Sequence, residues 1–168
     1  MIFADSSFLV SLYLPNDRFS ASARAIAISF RDAVAYPLLV ELELTNTIWR
    51  AVGEKRIPAR LGANLLGAIN RDLAEGFLVR SGIDAVAHYR NAIKLSNEFA
   101  ARYLTRTLDV LHVAAALLLE AKTLASFDER QRRLAASAGF KLLPETLRSS
   151  CHGGQSRSKN SARPDQRL

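Results

Sequence analysis

Short apolar runs alternate with longer stretches of helical periodicity along this chain, which limits it to few fold classes. The predicted strands cover residues 2–5, 33–36, 77–80, 123–127 and 140–143, and the predicted helices lie near residues 6–14, 20–30, 38–54, 58–74, 84–104, 108–121 and 129–137. A helix between successive strands is typical of a parallel sheet covered on both faces. The pattern therefore predicts an α/β fold: three α/β/α layers with a central parallel sheet of about four to five strands.

The chain divides into one domain and a short basic tail. Its 168 residues are 49% hydrophobic, enough to bury a single core. The apolar periodicity continues to about residue 147, and from Ser149 onward Ser, Gly, Arg, Asn and Pro dominate. We therefore expect a folded domain over residues 1–147 and a disordered tail over residues 148–168.

Several classes of protein are disfavoured by the composition. The longest uncharged apolar run, Val110 to Leu119, is about half the length of a membrane span, and Asp5 interrupts any amino-terminal signal segment. A single cysteine, Cys151, excludes an intrachain disulfide, and the three histidines lack zinc-ligand spacing. We expect a cytoplasmic protein that does not bind a membrane. Its net charge of +7 favours a polyanionic partner, with nucleic acid the first candidate, although a solvated basic surface without a partner fits the charge equally well.

Four carboxylates interrupt or border apolar segments, and folding alone does not require them there. They are Asp5, Glu43, Asp109 and Asp128. A carboxylate at the rim of a core is usually paired, hydrogen-bonded or bound to a metal, because burying it alone is unfavourable. Four that converge would suit a hard divalent cation such as Mg²⁺. Asp109 has a simpler alternative role, because a negative charge in the first turn stabilises a helix.

The choice of Glu43 over Glu41 rests on helical geometry. The two side chains point roughly 200° apart around the helix, so they cannot serve one site. Glu43 shares a face with Asn46, Thr47 and Arg50, which gives a polar stripe on an otherwise apolar helix. We therefore assign Glu43 to the candidate site and keep Glu41 as the alternative.

The segments around these acids resemble the four motifs of PIN-domain ribonucleases, above all the VapC toxins of VapBC toxin–antitoxin pairs. The segments are Met1-Ile-Phe-Ala-Asp-Ser-Ser-Phe-Leu-Val, Pro37-Leu-Leu-Val-Glu-Leu-Glu-Leu-Thr-Asn, Thr107-Leu-Asp-Val-Leu-His-Val-Ala-Ala-Ala and Ser126-Phe-Asp-Glu-Arg-Gln. The resemblance covers residues 1 to about 145. It implies a PIN-like fold and Mg²⁺- or Mn²⁺-dependent cleavage of RNA that leaves a 5′-phosphate. It also implies a homodimer, or a larger complex with a cognate antitoxin.

By position, the resemblance implies a role for each acid. Asp5, Asp109 and Asp128 match metal-binding carboxylates, and Glu43 matches a carboxylate that positions the attacking water or a second ion. Ser7 and Ser126 fall where the family commonly has small hydroxyl residues, although threonine is more usual at the position of Ser126. We therefore expect Ser7, Ser126 and Asn46 to support the acids.

Other residues near the motifs leave alternatives open. Arg106 and Arg130 flank two of the acids and are either RNA contacts or ordinary solvated charges. His112 follows Asp109 by one helical turn, and we interpret it as a satisfied core histidine. Three aromatic residues are interpreted as core or dimer surface rather than as base-stacking groups: Tyr36, Trp49 and Tyr89.

Competing functions are distinguished by particular residues. A haloacid-dehalogenase-type phosphatase requires a second acid two positions after the first, where this chain has Ser7. A receiver domain requires a central strand ending in Asp and a later strand ending in Lys, and that pattern is not found. An RNA-processing or RNA-decay nuclease of the PIN family would share the site, and so would a PIN-like binding module without catalysis. We expect a toxin ribonuclease, because the chain is small and retains all four acids.

Overall fold

The computed structural model describes residues 1–147, which contain five strands and seven helices. The strands are β1 (Ile2–Ala4), β2 (Val34–Tyr36), β3 (Leu78–Arg80), β4 (Thr123–Ala125) and β5 (Lys141–Leu143). The helices are α1 (Ser6–Tyr13), α2 (Ser20–Ile28), α3 (Leu38–Gly53), α4 (Ala59–Ala74), α5 (Ala85–Tyr103), α6 (Thr107–Leu118) and α7 (Glu129–Ser137). Their order confirms the predicted α/β class. The predicted tail, residues 148–168, lies outside the described residues.

All five strands are parallel and lie in the order β3-β2-β1-β4-β5. Strand β1 is central, and its Ile2 pairs with Val34 of β2 on one side and with Thr123 of β4 on the other. The chain proceeds from β1 to one edge of the sheet, then crosses to β4 and β5 beyond the other side of β1. The strand order therefore reverses between β1 and β4, and ligands of open parallel sheets bind outside the carboxyl ends at such a reversal.

Helices cover both faces of the sheet, which confirms the three-layer α/β/α architecture. The principal helix contacts link α1, α2, α3 and α4 in one group and α5, α6 and α7 in another. Helix α6 packs against both α5 and α7, and every residue from Asp109 to Ala116 is buried. This burial on several sides explains why most residues of α6 are apolar.

Two predicted strands end earlier than expected, and both differences matter for the site. Strand β1 ends at Ala4 rather than at residue 5, and β4 ends at Ala125 rather than at residue 127. Asp5 and Asp128 instead serve as N-caps of α1 and α7, where their side chains accept hydrogen bonds from backbone N–H groups. Capping therefore places both carboxylates at the carboxyl edge of the sheet, beside the reversal of strand order.

Glycine follows two helices that lead into strands. Gly76 (φ 79°) follows α4, and Gly139 (φ 88°) follows α7. Both have the left-handed backbone conformation in which glycine is favoured over other residues. Within residues 1–147, no helix is both long and apolar enough to cross a membrane.

Candidate active site

Asp5 lies at the carboxyl end of the central strand and is almost completely buried, with 1% of its surface exposed. Its backbone N–H donates to the carbonyl of Ala125 at 3.0 Å, which fixes the end of β1 against β4. Its Oδ1 accepts from the N–H of Phe8 at 2.8 Å, in the first turn of α1. The same residue therefore ends β1, begins α1 and presents a carboxylate next to β4.

Two serine hydroxyls hold the Asp5 carboxylate from different segments of the chain. Ser7 Oγ donates to Oδ1 at 2.7 Å, and Ser126 Oγ donates to Oδ2 at 2.7 Å. Each hydroxyl also accepts a backbone N–H: Ser7 from Phe127 at 2.9 Å and Ser126 from Asp128 at 3.0 Å. The two serines thus connect the loop after β4 to Asp5 and fix the orientation of its carboxylate.

Burial raises the pKa of the Asp5 carboxyl above its ordinary value, while the charge of His112 and the hydrogen bonds from Ser126, Phe8 and Ser7 act in the opposite direction. Desolvation is the largest cause of the raised pKa, so it outweighs the hydrogen bonds that favour the charged carboxylate.

Asp128 is joined to Asp5 through Ser126. Its Oδ1 accepts from the N–H groups of Arg130 at 2.8 Å and Gln131 at 3.2 Å, as expected for an N-cap. Its Oδ2 makes no hydrogen bond to any group within residues 1–147. One carboxylate oxygen therefore begins the helix, and the other is available to a ligand.

Asp109 lies in the first turn of α6 and is 7% exposed. Its Oδ2 accepts from the N–H of Arg106 at 2.8 Å, so the structural role proposed from the sequence is present. Its Oδ1 has no hydrogen bond among the described residues. The capping contact does not exclude a second role for this carboxylate, since one oxygen stays free.

Glu43 contacts His112, a long-range pair that the sequence did not reveal. Glu43 Oε2 lies 2.5 Å from His112 Nε2. Burial alone would raise the pKa of Glu43, but the hydrogen bond and charge of His112 and a hydrogen bond from Ser6 outweigh it, and the pKa is lowered. Glu41 instead pairs with Arg80 away from this contact. The geometry thus separates the two glutamates in the way that helical periodicity suggested.

His112 is a buried histidine, as predicted, but it is not fully satisfied. Its ring packs edge-on against Phe3, with ring centroids 6.0 Å apart. Its Nε2 is used by Glu43, and its Nδ1 has no hydrogen-bond partner within the described part of the chain. The charge of His112 also lowers the pKa of Asp5, so this histidine interacts with both acids rather than with the core alone.

The remaining predicted residues lie at the periphery. Asn46 is exposed one turn after Glu43, and its side chain makes no hydrogen bond within residues 1–147. Arg106 is exposed at the start of α6, and Arg130 is half-buried in the first turn of α7. Neither guanidinium forms a salt bridge with a described carboxylate.

Sequence reasoning missed Arg132, which is buried beneath the site. Its Nη1 donates to the carbonyl of Ser126 at 3.0 Å, and its Nη2 donates to the carbonyl of Pro144 at 2.6 Å. Burial lowers the pKa of this guanidinium, and the charges of Asp5 and Glu129 partly oppose that effect. Arg132 lies among other polar residues in a short helix, so its sequence context carries no signal of burial.

The oxygen-rich donor set fits a hard divalent cation, but the four carboxylates are not gathered into one preformed cluster. Within residues 1–147, no three acidic, histidine or cysteine side chains lie close enough together to hold a metal ion. The expected convergence is therefore looser than predicted. Mg²⁺ commonly uses one or two protein carboxylates and retains several waters, so Asp5 and the free oxygens of Asp109 and Asp128 are chemically suitable donors.

Comparison with known protein families identifies a PIN domain over residues 2–137. The chain belongs to the PIN-domain family. The match includes all four candidate carboxylates and extends from β1 through α7. It confirms the family that the sequence motifs suggested. Comparison with curated protein sequences finds no significant match.

Solved structures of similar fold come from toxin–antitoxin systems. VapC20 of Mycobacterium tuberculosis, a toxin that cleaves the sarcin–ricin loop, is 18% identical with a TM-score of 0.62, over 83% of this chain and 96% of that one. VapBC2 of Rickettsia felis, bound to promoter DNA, is 15% identical with a TM-score of 0.58, over 84% of this chain and 97% of that one. FitAcB of Neisseria gonorrhoeae is 12% identical with a TM-score of 0.56, over 84% of this chain and 96% of that one. At these identities the likeness supports the PIN fold.

Proposed function

We propose that this PIN-domain protein is a Mg²⁺-dependent endoribonuclease, with Mn²⁺ as a possible substitute, and that it is the toxin of a toxin–antitoxin pair. The observation that carries the proposal is the position of Asp5. It is a nearly buried carboxylate at the carboxyl end of the central strand, oriented by two hydroxyls and one amide, and joined through Ser126 to Asp128. A carboxylate held this firmly at the reversal of strand order is suited to ligand binding.

Each side chain of the candidate site has a separate role in the proposed reaction. Asp5, Asp109 and Asp128 would hold the cation through oxygen atoms. When bound, the cation supplies an activated water and neutralises charge on the scissile phosphate. Ser7 and Ser126 fix the orientation of Asp5, and Glu43 accepts a proton from a water in the cleft. His112 positions Glu43, because its contact at Nε2 fixes one oxygen of that carboxylate.

Charge-removing substitutions test the proposed nuclease activity. Asp5→Asn and Asp109→Asn keep the side-chain shape but remove a ligand charge, and we expect each to reduce Mg²⁺-dependent cleavage of a labelled RNA by at least about a hundredfold. Glu41→Gln is the matched control, because it removes a carboxylate from α3 that is paired with Arg80 instead. Full activity in Asp5→Asn at the same Mg²⁺ concentration would exclude this site.

We further propose a homodimer formed through one exposed face of α3 and α5. Leu38 and Leu42 are 78% and 67% exposed, and Trp49 continues the same face of α3. On α5, Tyr89 is exposed, and it lines a pocket of about 260 Å³ together with Leu38. Large apolar side chains that are adjacent and exposed favour a protein contact. Trp49 and Tyr89 thus fit the predicted dimer surface, whereas Tyr36 is in the core.

A further inference from the structure

A column of aromatic rings leads from the core to the rim of the candidate active site. Phe8 stacks on Phe127 with ring centroids 5.5 Å apart, and Phe127 stacks on Phe19 at 4.4 Å with an interplanar angle of 6°. Phe8 and Phe127 are buried, whereas Phe19 is half-buried. The column therefore emerges at Phe19, in the turn before α2.

The guanidinium of Arg18 caps this column. Its Cζ lies 4.4 Å from the centroid of the Phe19 ring. The same ring stacks on Phe127, so Phe19 contacts both a buried aromatic ring and an exposed cation. Arg18 is exposed and forms no salt bridge with a carboxylate of residues 1–147. The guanidinium of Arg18 is thus accessible to solvent while it lies against an aromatic ring.

Two adjoining pockets connect Arg18 to the acids. The larger, of about 420 Å³, lies between Arg18 and Phe19 on one side and Asp128 and Arg130 on the other. The smaller, of about 250 Å³, also contains Arg18 and Asp128 and extends to Ser7, which binds Asp5. Glu129 lines the larger pocket, but its carboxylate lies 3.6 Å from the guanidinium of Arg133. Arg18 and Arg130 therefore supply positive charge beside the acidic site.

We propose that Arg18 is a stacking platform for the base of a nucleotide next to the scissile phosphate, and that Arg130 contacts a phosphate of the same strand. The proposal rests on the ribonuclease function proposed above. A guanidinium is planar and stacks on bases, and Arg18 lies exposed against an aromatic ring at the edge of the pocket. A single-stranded RNA fits this arrangement better than a peptide does, because it offers a planar base and a phosphate to the two arginines that line one pocket.

Arg18→Lys tests the platform, because lysine keeps the charge and loses the planar face. All binding is measured with the full chain carrying Asp5→Asn, to prevent cleavage. The probe is a fluorescein-labelled, mixed-sequence RNA of about 12 nucleotides, together with versions that carry one abasic ribose at each position in turn. With Arg18 present, we expect one abasic position to weaken binding by about tenfold, the scale of one base stacked on a side chain.

With Arg18→Lys, we expect the intact RNA to bind about tenfold more weakly and that abasic position to have no further effect. Arg60→Lys is the control, because Arg60 is exposed at the start of α4, which packs beside the opposite edge strand β3. It should bind every RNA as the parent does. Both lysine variants should keep the melting temperature of the parent, because both replace exposed residues.

Each other outcome has a definite meaning. Unchanged RNA binding by Arg18→Lys overturns the platform, and so does an equal loss for intact and abasic RNA, which would leave Arg18 as a simple phosphate contact. Loss of binding to a protein partner with unchanged RNA binding would assign this surface to that partner. Failure of the unsubstituted chain to cleave RNA would refute the ribonuclease proposal instead, and the abasic series would still report whether a base is bound at Arg18.

Discussion

At the scale of single residues, Asp5 combines two roles that affect stability differently. Its carboxylate caps α1 and accepts serine hydroxyls, which stabilises the fold, but its burial removes the charge from water. The raised pKa shows that the desolvation penalty exceeds the stabilisation of the charged form. A bound cation would offset that penalty, so the residue is better suited to the liganded protein than to the free one.

This imbalance predicts the pH dependence of stability in the metal-free protein. Because the pKa of Asp5 is higher in the folded chain than in the unfolded one, its contribution to stability is fully present below its ordinary value of 3.8 and is lost as the pH rises through the folded-state pKa. Asp5→Asn removes the ionisable group and therefore removes this loss of stability at higher pH. In EDTA we expect the variant to melt about 2–4 °C above the parent once the pH exceeds the folded-state pKa, and to lose this advantage in acid.

Thermal melting monitored by circular dichroism across the pH range measures this effect. Glu41→Gln serves as the control, because the carboxylate it removes lies on α3 and is paired with Arg80. A lower melting temperature for Asp5→Asn at every pH would mean that the capping and hydroxyl contacts outweigh desolvation. Asp5 would then be a structural carboxylate.

At the scale of secondary-structure elements, the exposed face of α3 and α5 predicts how two copies associate. Leu42→Lys would place a charge at the centre of that face and, in a symmetric dimer, bring two like charges together. We expect the protein to change from dimer to monomer at micromolar concentration in size-exclusion chromatography with light scattering. Ile28→Lys is the control, because Ile28 is 84% exposed at the end of α2. A monomeric parent protein would contradict the proposed dimer directly.

Element boundaries were largely predictable from the sequence, whereas contacts between distant residues were not. Periodicity located all five strands and seven helices of residues 1–147, and it separated Glu43 from Glu41, which do have different partners. The Glu43–His112 contact joins residues 69 positions apart and was not expected. The Ser126–Asp5 bond joins residues 121 apart, and only the family resemblance suggested a supporting role for Ser126. Such pairs depend on how α3, α6 and the loop after β4 meet in space, which local patterns do not encode. The burial of Arg132 was missed for the same reason.

At the scale of the whole molecule, the toxin hypothesis predicts an effect on growth. Expression of this chain alone should arrest growth, Asp5→Asn should relieve the arrest, and co-expression of a small partner protein from the neighbouring gene should relieve it too. We expect an arginine of that partner to reach the carboxylates, since a guanidinium matches them in charge and geometry. Growth curves with inducible expression provide the measurement.

Two outcomes would revise the hypothesis. Normal growth with RNA cleavage in vitro would favour an RNA-processing or RNA-decay nuclease. Equal toxicity of Asp5→Asn would show that the arrest does not arise from this site. A chain that neither cuts RNA nor arrests growth, yet binds a partner, would favour the non-catalytic binding module.

The contacts of the Arg132 guanidinium indicate how far the folded domain extends beyond the family match. The family match stops at residue 137, but Arg132 donates to the carbonyls of Pro144 and Glu145 while also holding that of Ser126. A polypeptide cut at the family boundary would lose β5 and leave a buried cation with most of its acceptors gone, which is strongly unfavourable. The segment after β5 therefore stabilises the loop that carries Ser126 at the carboxyl edge of the sheet, and any shortened version has to retain it.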